Sequence, residues 1–354
     1  MTLVKIFLAL SVSITLLFPT SIEGQDLQWV QQIGGNWSET VNGVCEDANG
    51  NVYVTGALGG YNAPGGTIGG VLFPVLGTRD IFLAKFDASG NYVWGVTAGG
   101  EKVPEDVNEA EYGRNILYDS ITNTIVLQGT YDSEDAYFGP GISAAGRGMF
   151  VAKYDLNGTC LWLQTVPWGI VYGMTIDDSG NIYAETARTV LFDDLLLVKY
   201  SPGGEVIWSK DIGYNIGDAW AADDNGTLII AGACFENSNL LGTTFTPAAS
   251  GWDALIARID TSCTQVLATQ QLGADSLALY HDLEILSNGA LIITGAFINR
   301  LYVPNDTVVS IPDQLVRFLM KADSAGNPEW VETLPMVGTI NSAALLSMSG
   351  ESTF

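Results

Sequence analysis

The sequence has few of the residues from which active sites and metal centres are usually built. His281 is the only histidine, the cysteines have no C-x-x-C spacing, and no G-x-S-x-G motif is present. These absences argue against a zinc site, a redox pair and a serine triad. We therefore predict no catalytic residue, and we interpret His281 as a residue at the rim of the structure.

Cysteines are also rare. The chain contains Cys45, Cys160, Cys234 and Cys263, which are spread widely along it. One or two disulfides are permitted in a chain that enters an oxidising compartment. We favour buried thiols that act as small apolar residues.

Basic residues are scarce: 14 Lys and Arg stand against 39 Asp and Glu, which gives a net charge of −25 at pH 7. Such a surface repels DNA and RNA, so we expect no nucleic-acid partner. It can also attract divalent cations. With 47% hydrophobic and 15% charged residues, the chain has the composition of a folded protein rather than a disordered one.

Long apolar runs are missing except at the N terminus, where Lys5 precedes an apolar stretch from Ile6 to Phe18. This stretch is shorter than the roughly 20 residues that span a bilayer, and small and polar residues follow it, as in a secretory signal peptide. We predict a signal peptide over residues 1–24, cleaved near Gly24, and no membrane span afterwards. The protein is then expected to be secreted or at the cell surface, and monomeric.

One motif recurs along the rest of the chain: a turn of the type D-x-x-G-N, followed by a strand rich in β-branched residues. Asp or Ser begins the turn through a local hydrogen bond, Gly takes the positive φ, and the alternation suits a half-buried strand. The copies begin at Asp47, Ser120, Asp177, Asp223 and Ser287.

A second motif follows each turn at a fixed register. A basic residue lies two positions before an acidic or hydroxyl residue, and a tryptophan or leucine lies seven positions after that residue. We expect the basic residues to pair with nearby carboxylates on the strands. The basic residues are Lys85, Lys153, Lys199, Arg258 and Lys321. The residues at the tryptophan or leucine position are Trp94, Trp162, Trp208, Leu267 and Trp330.

The repeats vary in length at one place, between their second and third strands, as after Leu58, Asp132 and Glu236. Each copy supplies four short strands, and no segment shows helical periodicity with caps. Radial packing of such sheets buries their faces, so we predict an all-β fold, a β-propeller of four-stranded blades with the variable loops on one face. Arrays of β-sandwiches and a β-helix are the alternatives.

The sequences DANGNVYVTG from Asp47 and DIFLAKFDASGNYVW from Asp80 resemble the SBBP-type β-propeller repeat of exported bacterial proteins, notably of Bacteroidetes-like species. The resemblance covers residues 26–354. It implies the propeller fold and a location outside the cytoplasm. The glycines, tryptophans and aspartates of the motif are expected to be structural, and the resemblance implies no catalytic residue.

The repeats define one domain, residues 25–354. The segment LQWVQQIGG from Leu27 matches the last strand of a unit, five complete units follow, and NSAALLSMSGESTF from Asn341 matches the opening of a sixth. We expect about six or seven blades in the full protein, with the last blade truncated in this sequence. The N-terminal strand is expected to complete the final blade, which would remove open sheet edges.

A polar residue lies five positions before each turn, where we expect the mouth of the central channel beside the long loops. These candidate ligand-binding residues are Asn42, Asn115, Tyr172, Asp218 and Asp282, with Ser342 from the partial sixth unit. A solvated rim without a specific ligand is the alternative. Aromatic residues of the loops could stack on sugars, although packing on their own blade is expected: Tyr61, Phe73, Tyr137, Phe138, Phe245 and Trp252.

An acidic run from Glu101 to Glu111 is predicted to lie on the same face. Carboxylates in this run, Glu105, Asp106 and Glu109 among them, could hold calcium. A solvated acidic loop is the simpler interpretation, so we expect no cofactor other than calcium.

We predict a noncatalytic scaffold or binding module whose partner is an extracellular glycan or protein. The alternative is an extracellular polysaccharide-acting enzyme, a lyase or hydrolase, with acidic groups at the channel mouth. A spacer between the modules of a larger adhesin is a third possibility. Paired carboxylates within about 5 to 10 Å in a deep pocket would favour the enzyme.

Overall fold

The computed structural model describes most of the chain outside its two ends. All regular elements in this part are β-strands, and none of it forms a helix long and apolar enough to cross a membrane. The predicted signal peptide and the predicted start of a sixth unit lie outside it. The described residues are 28–35, 39–60, 65–101, 111–167, 169–187, 195–214, 219–222, 226–248, 251–303, 306–309 and 313–334.

The chain divides into two compact units, and the division falls after Val171. The strands up to this point, which form unit 1, are β1 (Ile33–Gly34), β2 (Thr40–Glu46), β3 (Val52–Gly59), β4 (Gly66–Ile68), β5 (Val71–Phe73), β6 (Arg79–Phe86), β7 (Tyr92–Ala98), β8 (Tyr112–Asp119), β9 (Thr124–Asp132), β10 (Ala136–Gly139), β11 (Ile142–Ala144), β12 (Arg147–Tyr154) and β13 (Cys160–Pro167).

The second unit spans Tyr172–Leu346. Its strands, the first of which begins at the division, are β14 (Ile170–Ile176), β15 (Ile182–Ala187), β16 (Leu195–Tyr200), β17 (Val206–Tyr214), β18 (Ala219–Ala222), β19 (Thr227–Cys234), β20 (Ser238–Leu240), β21 (Thr243–Phe245), β22 (Asp253–Asp260), β23 (Val266–Leu272), β24 (Leu277–Ile285), β25 (Leu291–Ile298), β26 (Arg300–Val303), β27 (Asp306–Val309), β28 (Leu315–Ala322) and β29 (Pro328–Leu334).

The main strands form five antiparallel meanders of four strands each, which we call blades 1 to 5. Their strand orders are β2-β3-β6-β7, β8-β9-β12-β13, β14-β15-β16-β17, β18-β19-β22-β23 and β24-β25-β28-β29. This is the strand arrangement of a propeller blade. The predicted all-β fold with four-stranded propeller blades is therefore confirmed.

Burial differs between the inner and outer strands of a blade. All eight residues of β3, a second strand, are buried, whereas β7, a fourth strand, is mostly half-buried. The inner strands are covered on both faces because apolar side chains of neighbouring blades share core clusters, which include Leu83 and Phe150 in unit 1 and Ile256 and Phe318 in unit 2. Each such fully buried side chain contributes about 1.5 to 3 kcal/mol to folding.

The D-x-x-G-N segments form hairpin turns, as predicted. In blade 1, Oδ1 of Asp47 accepts a hydrogen bond from the backbone amide of Asn51 at 3.0 Å, and Gly50 has a φ of +79°. Oδ2 of Asp47 accepts a hydrogen bond from the Tyr53 hydroxyl at 3.0 Å and lies 3.9 Å from Nζ of Lys85. Asp47 therefore joins the turn to the second and third strands.

The repeated lysine pairs with the carboxylate of this turn in three blades, which confirms the expected pairing. The distances from Nζ to Oδ2 are 3.9 Å for Lys85 and Asp47, 2.8 Å for Lys153 and Asp119, and 3.3 Å for Lys199 and Asp177. These lysines are therefore structural and are not free to bind a ligand.

The repeated tryptophan packs on a glycine turn of the following blade. A Cβ added at Gly90 would lie 2.5 Å from the ring of Trp29, and one added at Gly158 would lie 3.1 Å from the ring of Trp94. The indole Nε1 of Trp94 also donates to the carbonyl of Leu156 at 3.1 Å. The tryptophans and turn glycines of the motif thus hold blades together, as the resemblance implied.

The variable loops between the second and third strands contain short hairpins in the four cases that are described. These insertion hairpins are β4-β5, β10-β11, β20-β21 and β26-β27. Each pairs with the end of the strand that precedes its own blade: β4 with β1, β20 with β17, Tyr137 with Gly99, and Leu301 with Ala274. Backbone pairing therefore fixes the position of each hairpin.

Candidate functional site

Three of the insertions expose an aromatic ring. Tyr137 on β10 is 49% exposed, Tyr302 on β26 is 42% exposed, and Trp252, at the end of the blade 4 insertion, is 41% exposed. Large aromatic surfaces on rigid elements are typical of ligand and partner contacts.

The other loop aromatics named from the sequence are used for packing where the structure describes them. Phe138 and Phe245 are buried. Phe73 lies edge-on to Tyr92, with ring centroids 6.5 Å apart. Tyr61 lies outside the described residues. The expected packing on the parent blade thus holds for these three rings, whereas Tyr137 and Trp252 remain partly exposed.

Trp252 is held in place from two directions. Its ring stacks on the ring of Phe235, with centroids 5.1 Å apart and an interplanar angle of 19°. Its backbone N–H donates to the carbonyl of Ser276 at 3.0 Å, and its carbonyl accepts from the N–H of Ala278 at 2.7 Å. One face of the indole is therefore supported, and the exposed part is available in a fixed orientation.

Tyr302 is fixed in a similar way on the next hairpin. Its backbone N–H donates to the carbonyl of Gly273 at 2.9 Å, and its hydroxyl donates to Oδ1 of Asp275. Oδ2 of Asp275 lies 3.8 Å from Nε of Arg300, and both of these charged residues are exposed.

The two aromatic residues flank one connection between blades 4 and 5, residues 273–277, in which Asp275 and Ser276 are exposed. Trp252 pairs with this connection through Ser276, and Tyr302 pairs with it through Gly273. We call the five exposed residues here the Trp252–Tyr302 surface; they are Trp252, Asp275, Ser276, Arg300 and Tyr302. Aromatic rings stack on the apolar faces of sugars, and carboxylate, hydroxyl and guanidinium groups bind their hydroxyls, so this composition suits a glycan.

Two of the predicted channel-mouth residues make structural hydrogen bonds in unit 1. Nδ2 of Asn42 donates to the carbonyl of Gly113 at 2.9 Å, which ties the first strand of blade 1 to that of blade 2. Nδ2 of Asn115 donates to Oε1 of Gln128 at 2.8 Å across its own sheet. Both amides are therefore engaged in holding strands together.

The strand register shows that the predicted set mixes two positions. The residues opposite one another in equivalent pairs are Gly43 and Thr55, Asn115 and Gln128, and Asp282 and Thr294. Asn115 and Asp282 therefore correspond to Gly43 and not to Asn42. Counting residues from the turn placed these two one position too far along the strand.

The cause is the start of the turn in blades 2 and 5. In blade 2 the turn begins at Asp119, whose Oδ1 accepts from the N–H of Ile121 at 2.9 Å, and not at Ser120. In blade 5 it begins at Leu286, whose carbonyl accepts from the N–H of Gly289 at 2.8 Å, and not at Ser287. Arg114 and His281 therefore take the place of Asn42, as the extra residue of a β-bulge.

The remaining candidates contribute less. Tyr172, at the start of unit 2, packs half-buried against the core of blades 3 and 4. Asp218 and Ser342 lie outside the described residues. A ligand site at the channel mouth stays a prediction.

Ionisable groups do gather on the first strand of blade 5. Burial, together with the charge of Arg317, lowers the pKa of His281 to about 4, so the imidazole is neutral at pH 7. Burial and the neighbouring carboxylate of Asp282 raise the pKa of Glu284 to about 8. Glu284 therefore holds a proton at neutral pH, as a general acid must.

The proposed calcium ligands Glu105, Asp106 and Glu109 lie outside the described residues. Within the described ranges, no three His, Cys, Asp or Glu side chains come together in a way that could hold a metal ion.

The four cysteines are buried and form no disulfide, as favoured from the sequence. Burial raises the pKa of Cys160 to about 11 and the pKa values of Cys234 and Cys263 to about 12. Thiols with such pKa values are unreactive, so they serve as small core residues.

Sequence reasoning missed Tyr302, Asp275 and Arg300. A signal was available in the segment RLYVPND from Arg300, where an apolar and polar alternation leads to Pro-Asn, a typical turn pair. What the segment does not reveal is that its hairpin lies against the connection that carries Asp275.

Comparison with known proteins agrees with the fold. Residues 28–57, which run from the strand before blade 1 into its second strand, match the SBBP family model, described as a beta-propeller repeat. An uncharacterised WD repeat-containing protein of Acanthamoeba polyphaga mimivirus is 23% identical, over 58% of this chain and 20% of that protein. The chain thus spans about a fifth of the length of that relative. The blades and the matched repeat define a β-propeller repeat protein.

The solved structures that this chain matches are diverse proteins with low sequence identity to it. Hydrazine synthase of Kuenenia stuttgartiensis is 9% identical with a TM-score of 0.47, over 85% of this chain and 69% of that chain. A polysaccharide lyase of family PL25, an ulvan lyase, is 11% identical with a TM-score of 0.46, over 84% and 85% of the two chains. The Dos1 propeller is 9% identical with a TM-score of 0.42, over 88% and 76%.

Proposed function

We propose that this protein is a noncatalytic, exported and monomeric binding module that recognises an extracellular glycan through the Trp252–Tyr302 surface. The observation that carries the proposal is the pair of half-exposed aromatic rings fixed on either side of Asp275 and Ser276. The apolar stretch at the N terminus, with the features of a signal peptide, supports export.

The rigidity of the surface favours binding. The ring of Trp252 already rests on Phe235, and Tyr302 is already hydrogen-bonded to Asp275, so little side-chain freedom is lost when a ligand arrives. Trp and Tyr are also the residues that most often dominate binding energies. The net charge of −25 favours an uncharged glycan over a polyanionic one.

The proposal is tested by titrating the mature protein with a panel of neutral polysaccharides in isothermal calorimetry. We expect Trp252→Ala and Tyr302→Ala each to weaken binding about tenfold or more, because each removes a central aromatic contact. The control is Leu267→Ala on β23, which removes an exposed apolar side chain, 48% exposed, away from the aromatic pair. Unchanged affinity in the two aromatic variants would contradict the proposal.

A polysaccharide-acting enzyme is the second candidate, and the protonated Glu284 beside Asp282 favours it. A lyase or hydrolase needs a proton donor near the glycosidic oxygen, and a carboxyl group with a pKa near 8 can act as that donor. The test is to assay the same panel for new reducing ends and unsaturated products. Cleavage that is lost in Glu284→Gln and kept in Trp252→Ala would establish the enzyme in place of the binding module.

A further inference from the structure

Two carboxyl groups are buried side by side in unit 1, between blades 1 and 2. Asp80 at the start of β6 is 1% exposed, and Glu111, just before β8, is 3% exposed. A Cβ added at Gly99 would lie 2.3 Å from Oε2 of Glu111 and 2.9 Å from Oδ1 of Asp80, so both carboxylates reach the same side of this glycine.

Two further oxygen atoms lie beside the next residue. A Cβ added at Gly100 would lie 2.6 Å from Oγ of Ser133 and 2.8 Å from the carbonyl oxygen of Asp135. Ser133 is 2% exposed. Two carboxylates therefore lie beside Gly99, and a hydroxyl and a carbonyl lie beside the adjacent Gly100; all four supply oxygen atoms of the kind that calcium binds.

Most of these side-chain oxygen atoms lack a well-formed hydrogen bond within the protein. Both carboxylate oxygens of Glu111 and Oγ of Ser133 are buried without a hydrogen bond of ordinary geometry. Ser133 and the backbone groups of Asp132 and Gly100 lie close enough to Glu111 to favour its charged form, but burial, together with the charge of Asp80, outweighs them and raises its pKa to about 8. Asp80 accepts the backbone N–H groups of Leu76 at 3.0 Å and Gly77 at 3.4 Å.

No basic side chain in the described ranges neutralises the pair. Arg79 donates to the hydroxyl of Tyr112 and lies over its ring, and Arg147 pairs with Asp132. Two carboxylates buried together without a cation are costly, because each is desolvated and they repel one another.

The matching place in unit 2 lacks this arrangement. Asp253 corresponds to Asp80, and Ala278 stands where Glu111 would be. The carboxylate of Asp253 is fully hydrogen-bonded, to the N–H of Ala248 at 2.8 Å, Nε2 of Gln271 at 2.8 Å and the N–H of Ala274 at 3.2 Å. An aspartate at this position therefore needs no second carboxylate for the fold, and Glu111 is an addition in unit 1.

We propose that Asp80, Glu111, Oγ of Ser133 and the carbonyl of Asp135 bind one calcium ion in unit 1. Calcium takes six to eight oxygen ligands, so water and bidentate carboxylate contacts would complete its shell. The ion would neutralise the buried pair and satisfy the oxygens of Glu111 and Ser133. It would also fix the connection between blades 1 and 2 against the β10-β11 hairpin.

The test is calcium binding by calorimetry, together with thermal unfolding, on the mature chain at pH 7.5 after chelation. We expect saturable binding of one ion and a rise in the unfolding temperature of unit 1 of about 3 to 6 °C at a calcium concentration ten times Kd. Glu111→Gln should abolish both effects, because it removes one ligand charge while keeping the shape of the side chain. The matched control Asp253→Asn should keep the binding.

Three results would overturn the proposal. One is an unfolding temperature and a heat of mixing that do not respond to calcium up to about 10 mM, which is about ten times the Kd of the weakest extracellular calcium sites. Another is binding that survives in Glu111→Gln but is lost in Asp253→Asn. The third is a wild-type protein that does not respond to calcium and is less stable than its Glu111→Gln variant. A proton shared between Asp80 and Glu111 would then account for the buried pair.

Discussion

The repeated motif forms one contact network at the scale of single residues. In blade 1, Tyr53 donates to Asp47, Lys85 lies 5.0 Å from the centre of the Tyr53 ring, and Trp94 lies edge-on to the same ring at 6.1 Å. Blade 3 repeats the arrangement with its own Asp, Tyr, Lys and Trp. These side chains are fully occupied by packing, which is why the motif specifies a fold and leaves ligand binding to other residues.

The turn glycine under each tryptophan gives the first prediction. Gly90→Ala should destabilise unit 1 more than Gly141→Ala, because both glycines have positive φ, +83° and +77°, but only at Gly90 does a new Cβ meet a ring. We expect about 1 to 2 kcal/mol for Gly141→Ala and about 1 to 3 kcal/mol more for Gly90→Ala. Urea unfolding followed by fluorescence measures both, and equal losses would refute the packing role of Trp29.

The buried ion pair of blade 2 gives the second prediction. Lys153 is 2% exposed and Asp119 is 1% exposed, so Lys153→Met leaves a buried carboxylate without its partner. We expect a loss of about 3 to 5 kcal/mol, since an uncompensated buried charge is strongly unfavourable. Adding Asp119→Asn should restore much of the loss, as measured by urea unfolding. A double variant as unstable as Lys153→Met alone would show that packing of the lysine stem, and not the charge, is responsible.

The pH dependence of the stability of unit 1 gives the third prediction. The pKa of Glu111 rises from 4.5 to about 8 on folding, and Asp80 and Ser133 are the polar groups that face it. The folded state therefore binds more protons than the unfolded state between these values, and stability falls as the pH rises through this window. We expect a lower unfolding temperature at pH 8 than at pH 5.5 in chelator. Glu111→Gln should reduce the difference; an identical pH profile in that variant would argue against this assignment.

The insertion hairpins are the main feature at the scale of secondary-structure elements. Each adds backbone pairs to the strand before its blade, and β20-β21 also buries apolar side chains: Leu240 is 0% exposed and packs in the same core cluster as Cys234 and Cys263. The hairpins are thus part of the core as well as carriers of exposed rings.

This double role gives a fourth prediction. Leu240→Ala should cost about 2 to 5 kcal/mol and open the cluster, whereas Thr244→Ala on the exposed strand β21 should change stability by less than about 0.5 kcal/mol. The readout is the rate at which a thiol reagent labels Cys234 and Cys263 at pH 8. Labelling should accelerate only in Leu240→Ala, and equal rates in both variants would show that the hairpin does not protect the core.

The blades were predictable from sequence because local rules define them. Asp47 and Gly50 predict a turn, because Asp forms local side-chain hydrogen bonds and Gly adopts a positive φ. The alternating strand that follows can bury its apolar side in only one register. The insertion hairpins were not predictable, because pairs such as Leu301 with Ala274 join residues that no local pattern links.

The candidate site was predicted only in part. Trp252 was singled out as a loop aromatic, but the sequence does not show that Phe235 would support its ring. Asn115 and Asp282 were assigned one residue out of register with Asn42, because Ser120 and Ser287 look like turn starts although Asp119 and Leu286 begin the turns. A shift of one residue on a strand changes which side chains share a face.

At the scale of the whole molecule, structural and binding roles fall on different parts of the repeat. Blade motifs pack, insertion hairpins present rings, and the surplus of 25 negative charges keeps polyanions away. The proposed binding module should distinguish uncharged glycans by shape and stacking, so its affinity should depend little on salt concentration.

The most direct test of this account is the calorimetric affinity of the mature wild-type protein and of the double variant Trp252→Ala with Tyr302→Ala for the best neutral polysaccharide of the panel. We predict that the wild type binds the polysaccharide and leaves its chain length unchanged, and that the double variant, although folded, loses at least about a hundredfold in affinity. Wild-type affinity in the folded double variant would contradict the account.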